Sequence, residues 1–393
     1  MSRSHDAPRV AILTYSTRPR GGVVHAVHLA EELHRLGAPV HLFALGDPAT
    51  GFYRDVGAPH TVSPAPVPAP TLEERVFASV DALQEVVSSQ GAAFDIAHAE
   101  DCISARAATA IGTGGDPWLV ARTVHHLDDF TTEALIDCQR RSVLEPDVVF
   151  VVSGFWRELL RREHGVDAAV VRNGVDAGRF ARPDGFDPDQ VRGEVGAADR
   201  FLFLTVGGLE PRKGSMQLIE AMAELKATLD VPPVLAVVGG HSFQDYETYR
   251  TGVLERAEAL GLEVGHDVVI VGTVDDSAMP AWFWAADAFA FPSVKEGWGL
   301  VVLEALASGL PVVTSDLPVF REYLTHDETA LLVPPGDARP LAAAMRGLVC
   351  DPDLRRRLGS RGPEVARRFS WEASARDHAE IYRRLWVAGG RSS

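Results

Sequence analysis

The sequence predicts an α/β protein built as two halves, each a parallel sheet covered by helices on both faces. Three observations carry this. Short apolar runs alternate with helical patterns from Val10 to Val152, and the alternation starts again at Phe201. Glycines recur at the ends of the strand-like runs in the second series, as at Gly207, Gly239 and Gly272. A chain of 393 residues, at roughly 100–200 residues per domain, favours two domains.

Element by element, Val10–Thr14 reads as a strand, Arg18–Gly22 as a glycine-containing loop, and Val23–Leu36 as a helix stopped by Gly37. Val40–Ala44 is a second strand. Similar alternation recurs through Ile96–Ala99, Ser104–Ile111, Trp118–Thr123 and Val148–Val152. Between them Ser63–Pro70, rich in proline and alanine, reads as a surface loop. Asn173-Gly174-Val175-Asp176 predicts a turn joining the halves. The second series has strands at Phe201–Val206, Val234–Val238, Val268–Val271, Ala288–Phe291 and Val312–Thr314. Helices are predicted at Met216–Leu225 and from about Leu300 to Ser308, the latter stopped by Gly309. A last helical pattern runs over Phe369–Leu385, with Ser370 as its expected N-cap and Glu372 in its first turn.

Hydrophobic residues at 46% and charged residues at 23% fit a chain that buries real cores. With 38 Lys+Arg against 54 Asp+Glu, the net charge of -16 opposes a broad electrostatic grip on nucleic acid or anionic lipid. No nucleic-acid partner is therefore expected. Cys102, Cys138 and Cys350 are too scattered for a disulfide framework or a zinc cluster, so a reducing, cytoplasmic location is expected. Met1–Arg9 is polar and leads into the short run Val10–Tyr15, unlike a signal peptide. Apolar stretches such as Ala281–Pro292 fall short of the ~20 residues of a membrane span. Trp156, Arg157, Leu159, Leu160, Arg161 and Arg162 form an amphipathic patch on a predicted helix. Three arginines attract an anionic surface weakly, so membrane contact is at most peripheral. Only three lysines occur, Lys213, Lys226 and Lys295, which makes each position informative.

The segment Phe291–Gly309 carries the strongest chemical signal. A strand ends at Pro292, Gly297 and Gly299 flank a loop whose backbone can approach a ligand, and a helix follows, so its free N–H groups and dipole form a phosphate site. Glu304, one turn into that helix, is placed to accept both hydroxyls of a ribose, and Glu296 to accept hydrogen bonds from a sugar ring. In Val206–Gly214, Arg212 and Lys213 lie between a strand and a helix, where open α/β folds bind ligands, and two cations there can neutralise a diphosphate. A plain basic helix start explains that segment equally well. Arg20-Gly21-Gly22 lacks the six-residue dinucleotide fingerprint. His125 and His126, followed by Asp128 and Asp129, suit a functional loop, a solvated turn or a chance metal site.

Taken together these segments resemble the GT-B glycosyltransferases, specifically the retaining group-4 type that includes mycothiol, phosphatidylinositol mannoside and sucrose-forming enzymes. The resemblance covers nearly the whole chain. It rests on the Glu-x7-Glu motif from Glu296 to Glu304, then on Lys213-Gly214, Asn173–Asp176, the early Gly21-Gly22 loop and Phe369-Ser370-Trp371. It implies that Glu296 contacts the donor sugar, Glu304 anchors the ribose, and the backbone of Gly297, Trp298, Gly299 and Leu300 cradles phosphate. It further implies that Lys213 binds the diphosphate, Val274 meets the base through its backbone, Gly22 lies nearest the donor phosphate, and His125 stands beside the transferred sugar. Relatives usually carry arginine where this chain has Gly208, which shifts phosphate neutralisation to Arg212 or alters donor use.

The resemblance implies two Rossmann-like domains facing a cleft: residues 1–174 for the acceptor and 175–370 for the nucleotide sugar, with helix 371–393 packing back on the first. The expected partners are a nucleotide-sugar donor, UDP-linked in preference to GDP-linked, and a small polar acceptor. Same-face transfer with retention, in a bacterial cytoplasmic enzyme needing no cofactor and no metal, is the expected chemistry. A nucleotide-sugar epimerase or hydrolase on the same fold, or an inactive nucleotide-sugar binder, are the alternatives.

Overall fold

A computed structural model describes residues 7–89, 94–112, 118–240 and 246–389; positions 1–6 and 390–393, counted above with the first domain, lie outside the described residues. The chain divides into two compact units, Met1–Gly174 with Trp371–Ser393, and Val175–Ser370.

The first unit runs β1 (Val10–Thr14), α1 (Gly21–Arg35), β2 (Val40–Gly46), β3 (His60–Pro64), α2 (Leu72–Ser89), β4 (Ile96–Ala99), α3 (Cys102–Gly112), β5 (Leu119–Val124), α4 (Glu133–Leu144), β6 (Val148–Val151), α5 (Gly154–His164) and β7 (Ala169–Val170). Its seven strands lie in the order β3-β2-β1-β4-β5-β6-β7. All neighbours are parallel, as with Val10 opposite both Val40 and Ile96. β1 and β4 are buried at every position, which is why Val10–Leu13 reads as a continuous apolar run, while β4 carries the buried His98. The core joins Ile12, Leu29, Leu33, Leu42 and Phe150.

The second unit runs α6 (Ala177–Phe180), α7 (Asp189–Glu194), β8 (Leu202–Val206), α8 (Ser215–Thr228), β9 (Val234–Val238), α9 (Glu247–Ala259), β10 (Val268–Gly272), α10 (Met279–Ala285), β11 (Ala288–Phe291), α11 (Leu300–Ala307), β12 (Val312–Ser315), α12 (Pro318–Arg321), β13 (Leu331–Val333), α13 (Ala338–Cys350) and α14 (Pro352–Ala366). Its six strands are also all parallel, in the order β10-β9-β8-β11-β12-β13. The final helix, α15 (Trp371–Ala388), returns to the first unit, where Trp371 stacks on His28 of α1 with centroids 4.7 Å apart.

Three local expectations change. The first helix begins at Gly21, so Gly21 and Gly22 form its first turn rather than the loop before it. Ser63 and Pro64 are not loop: they finish β3, an edge strand whose Pro64 pairs with Gly46 at its very end, where a missing N–H is tolerated. Asn173–Asp176 carries no turn; Asn173 is buried, and Asp176 caps α6 by accepting from Arg179 N at 2.9 Å. A short aspartate side chain at a helix start is an N-cap wherever the helix begins at once. The amphipathic patch on α5 is also resolved: Trp156 and Leu160 are buried in the first unit, while Arg161 and Arg162 pair with Glu158 and Glu163. No helix among the described residues is long and apolar enough to cross a membrane.

Candidate functional site

Each sheet reverses its winding direction once, between β1 and β4 in the first unit and between β8 and β11 in the second. The carboxyl ends of such strand pairs are where open parallel sheets offer room for ligands. Most of the candidate residues sit at these two places.

In the second unit, the loop after β8 and the loop after β11 are tied together. Val294 N donates to Arg212 O at 2.8 Å. Gly214, with φ +67, lies so close to the other loop that a Cβ would stand 2.1 Å from Pro292 O; only glycine fits that left-handed, crowded position. The tie brings Lys213 and Arg212 onto one carboxylate. Glu296 Oε1 accepts from Lys213 Nζ at 2.5 Å, from Ser293 Oγ at 3.0 Å and from Arg212 Nη1 at 3.1 Å. Arg212 Nε also lies 3.1 Å from Glu210 Oε2. Burial alone would raise the Glu296 carboxyl, but Lys213 and Arg212 outweigh it and hold its pKa at about 2. Burial pulls Lys213 down against the attraction of Glu296. Its ammonium stands 4.4 Å from the centroid of the Phe291 ring. Gly207, Gly208, Lys213 and Phe291 share the lining of one small recess.

Gly299 starts α11 with φ +85. Val302 N and Leu303 N donate to Gly299 O at 3.0 and 3.3 Å, so the N–H groups of Leu300 and Val301 are those that precede the helix's own bonding, at the end of the loop holding Glu296. Glu304 is half-buried on α11. Burial raises its carboxyl to about 7, helped by Asp276 and opposed by Arg179, and Arg179 is itself engaged with Asp276 at 2.8 Å. Val274 lies half-buried in the loop that follows β10. Leu300 is half-buried and Gly297 buried. Trp298 turns its side chain inward: it is 2% exposed, packed on Tyr323 and Phe369, and its carbonyl accepts from Tyr323 Oη at 2.8 Å. A large aromatic beside two glycines anchors the loop to the core, leaving only backbone N–H for a ligand.

The glycine at 208 has a steric cause. A Cβ there would lie 2.7 Å from Gly240 O, because the loops leaving β8 and β9 run side by side. The nearby Arg212 reaches Glu296 instead.

In the first unit, His125 follows β5 and His126 diverges from it. His126 is half-buried and 3.5 Å from Asp128. His125 turns inward: its Nε2 lies 2.8 Å from Glu100 Oε2, and its ring packs on Gly22, where a Cβ would meet His125 Cδ2 at 3.3 Å. Burial lowers the His125 pKa to about 4, although Glu100 works against this. Glu100 stands just past β4, fully buried, and also meets His25 Nδ1 of α1 at 2.8 Å. Burial would raise Glu100, yet His25 and His125 hold it well below the usual carboxylate range. A second layer backs the first. His98 Nε2 bonds Thr123 Oγ1 at 2.7 Å, and Tyr382 Oη of α15 lies 2.5 Å from His98 Nδ1. Burial takes His98 down to about 3.

His25, Glu100, His98 and Tyr382 were not among the candidates read from the sequence. The one available signal was the polar tail of an apolar strand, His98-Ala99-Glu100-Asp101, at a carboxyl edge. The ligand atoms of His25, Glu100 and His125 lie within 4.8 Å of one another, so they also form the cation-sized cluster found among the described residues.

Residues 188–365 match the family described as glycosyl transferases group 1, and residues 19–179 match glycosyltransferase family 4. A phosphatidyl-myo-inositol mannosyltransferase of Mycobacterium leprae is 32% identical over 58% of this chain and 56% of its own. A D-inositol 3-phosphate glycosyltransferase of Nocardioides is 35% identical over 55% and 48%. The chain thus spans about half the length of these two. A D-inositol 3-phosphate glycosyltransferase of Corynebacterium jeikeium is 30% identical over 98% of both chains. Among solved structures, sucrose-phosphate synthase from Thermosynechococcus elongatus aligns with TM-score 0.80 at 23% identity, over 97% of this chain and 100% of the other. HepE of Anabaena, in complex with UDP-glucose, aligns with TM-score 0.77 at 20% identity, over 95% and 99%. With both halves matched and a relative similar from end to end, the chain belongs to the group 1 glycosyltransferases and has their GT-B fold.

Proposed function

We propose that the protein is a retaining, metal-independent hexosyltransferase that moves a sugar from a nucleotide-sugar donor, UDP-linked in preference to GDP-linked, onto a small polar acceptor in the cytoplasm. The observation that carries this is the pairing of Lys213 and Arg212 on Glu296 beside the N-terminus of α11. Two cations and a helix end are what a departing diphosphate needs, and they supply its charge neutralisation without a metal ion. Glu304, half-buried and without a hydrogen-bond partner for its carboxyl among the described residues, is suited to take the ribose hydroxyls. Glu296, ionised and partly accessible, is suited to the hydroxyls of the donor sugar. The backbone of Gly297 to Leu300 supports the phosphates, and Val274 meets the base. HepE, a neighbour in fold, binds UDP-glucose, which favours uracil over guanine.

In the reaction, the bond from the anomeric carbon to the diphosphate oxygen breaks while the acceptor oxygen bonds to that carbon on the same face, and the acceptor's hydroxyl proton passes to the departing diphosphate oxygen. Positive charge builds on the sugar ring and negative charge on the leaving phosphate. Lys213, Arg212 and the start of α11 stabilise the phosphate, and neutral His125 stands beside the transferred sugar. The names of the three relatives all contain inositol bearing a phosphate or phosphatidyl group, so a phosphorylated cyclitol is the first acceptor to test. Calorimetry with UDP-, GDP- and ADP-glucose identifies the base. Turnover of the bound donor is then followed with and without D-inositol 3-phosphate: acceptor-dependent UDP release with an α-linked product supports the proposal. Equal donor consumption without acceptor would indicate a hydrolase or epimerase, and tight binding with no turnover across an acceptor panel an inactive binder.

A further inference from the structure

We propose that Glu100 is the positioning residue for His125, holding that ring in the tautomer that presents its Nδ1 lone pair to the transferred sugar. The inference rests on the reading of His125 given above. Its starting point is a geometry with little freedom. A single carboxylate oxygen, Glu100 Oε2, stands 2.8 Å from His25 Nδ1 and 2.8 Å from His125 Nε2. An ionised carboxylate only accepts, so both nitrogens must carry hydrogen. A neutral imidazole has one N–H, and His125 therefore keeps Nδ1 as an acceptor.

The rest of the pocket prevents rearrangement. The side chains of His25 and Glu100 are completely buried, and of the trio only His125 is reached by solvent, at 13%. Its Nε2 faces Glu100 and its Cδ2 edge lies toward Gly22, so ring rotation would break the bond to the carboxylate. The His25 ring meets the His125 ring edge-on with centroids 4.9 Å apart. Glu100 is faced by His25 from α1, His98 from β4, Arg122 from β5, and His378 and Tyr382 from α15. The cation among these, Arg122, bonds Thr123 O and interacts with Asp101, leaving the carboxylate charge to the histidines. A buried anion behind a neutral imidazole makes the far lone pair more electron-rich. That polarity favours the positive charge that builds at an anomeric carbon in the transition state more than it favours the bound donor.

The experiment uses the full chain labelled with 15N-histidine, the His125 signals assigned with His125→Asn. The expected spectrum at neutral pH shows Nε2 protonated and Nδ1 unprotonated; the opposite tautomer, or a doubly protonated ring, overturns the proposal. This reading needs no substrate and no variant of Glu100. Kinetics of Glu100→Gln and His125→Ala then follow, with UDP-glucose and D-inositol 3-phosphate. Glu100→Gln is expected to lower kcat by about 10- to 1000-fold while donor KM stays within about threefold, with partial recovery in Glu100→Asp. A kcat lost in His125→Ala and kept in Glu100→Gln would sink the positioning role and leave that of His125 standing. No loss in either would sink the reading of His125 itself. Zinc is the last probe: stoichiometric uptake abolished by Glu100→Gln, with turnover dependent on the metal, would assign the trio to a cation instead.

Discussion

The two units use one sheet plan and opposite electrostatics. At the switch point of the second unit, Lys213 and Arg212 converge on Glu296, and the backbone N–H groups of α11 add partial positive charge. At the switch point of the first, a single carboxylate, Glu100, is wrapped in imidazoles that burial keeps neutral at His98 and His125. Under the proposed function, the second unit receives negative charge and the first tolerates positive charge nearby. Fold alone distinguishes neither, since the strand order reverses in the same way in both.

The sharpest way to break this comparison is through the glycines that let each site close up. Gly214→Ala sets a Cβ 2.1 Å from Pro292 O at φ +67, and should cost about 3 kcal/mol or more in unfolding free energy and abolish donor binding. Gly22→Ala meets the edge of the His125 ring at 3.3 Å and Glu100 O at an ordinary 3.6 Å and should cost less than about 1 kcal/mol, its effect falling on turnover. Urea titrations of the two variants measure both, and equal losses would refute the contrast.

Next come the charges. Lys213→Ala should weaken donor binding by about 1.5–3 kcal/mol in calorimetry, with Lys213→Arg also impaired because a planar fork does not replace a point charge. His125→Ala should leave donor affinity within about twofold and lower kcat by about 100-fold or more, with a smaller effect at His126. A large affinity loss in His125→Ala would erase the division of labour.

A smaller effect is expected from pH. With the Glu304 carboxyl at about 7 before binding, the protonated form prevails below that pH, whereas ribose hydroxyls donate to the ionised form. Nucleotide binding should therefore release a proton near neutrality and weaken up to tenfold per pH unit below about 7. Glu304→Gln should remove this slope. Because the folded-state carboxyl is raised, its contribution to stability falls as pH rises from its ordinary range to about 7, so Glu304→Gln should gain stability at pH 8 relative to wild type. Calorimetry in buffers of different ionisation enthalpy counts the proton. The smallest expected change is none: EDTA should leave turnover as it was, and restoration by manganese after its loss would show that Lys213 and Arg212 are insufficient.

The second unit was the more legible in the sequence, for a physical reason. Its chemistry lies in two continuous segments, 206–214 and 291–304, each a strand end, a glycine loop and a helix start, so spacing alone locates Lys213, Glu296 and Glu304. The site of the first unit is assembled from afar. His25 and Glu100 are 75 residues apart, and His98 and Tyr382 are 284 apart, beyond the reach of any periodicity. Trp298 divides its roles between backbone and side chain. Its place in the motif offers the backbone to a ligand, while its indole serves as a plug against Tyr323 and Phe369. Gly208 reads as a missing cation, and is instead the residue that lets two loop backbones run in contact with Gly240.

The return of α15 to the first unit orders events during synthesis. Trp371, His378 and Tyr382 are buried beside His25, His28 and His98, so the amino-terminal half is left with an open flank until the final helix has been made. Residues 175–370 contain their whole sheet and core and can close as soon as they emerge. The half translated first is thus the half completed last, and a ribosome that stops before codon 371 releases a chain with a finished second unit and an unsealed histidine cluster in the first.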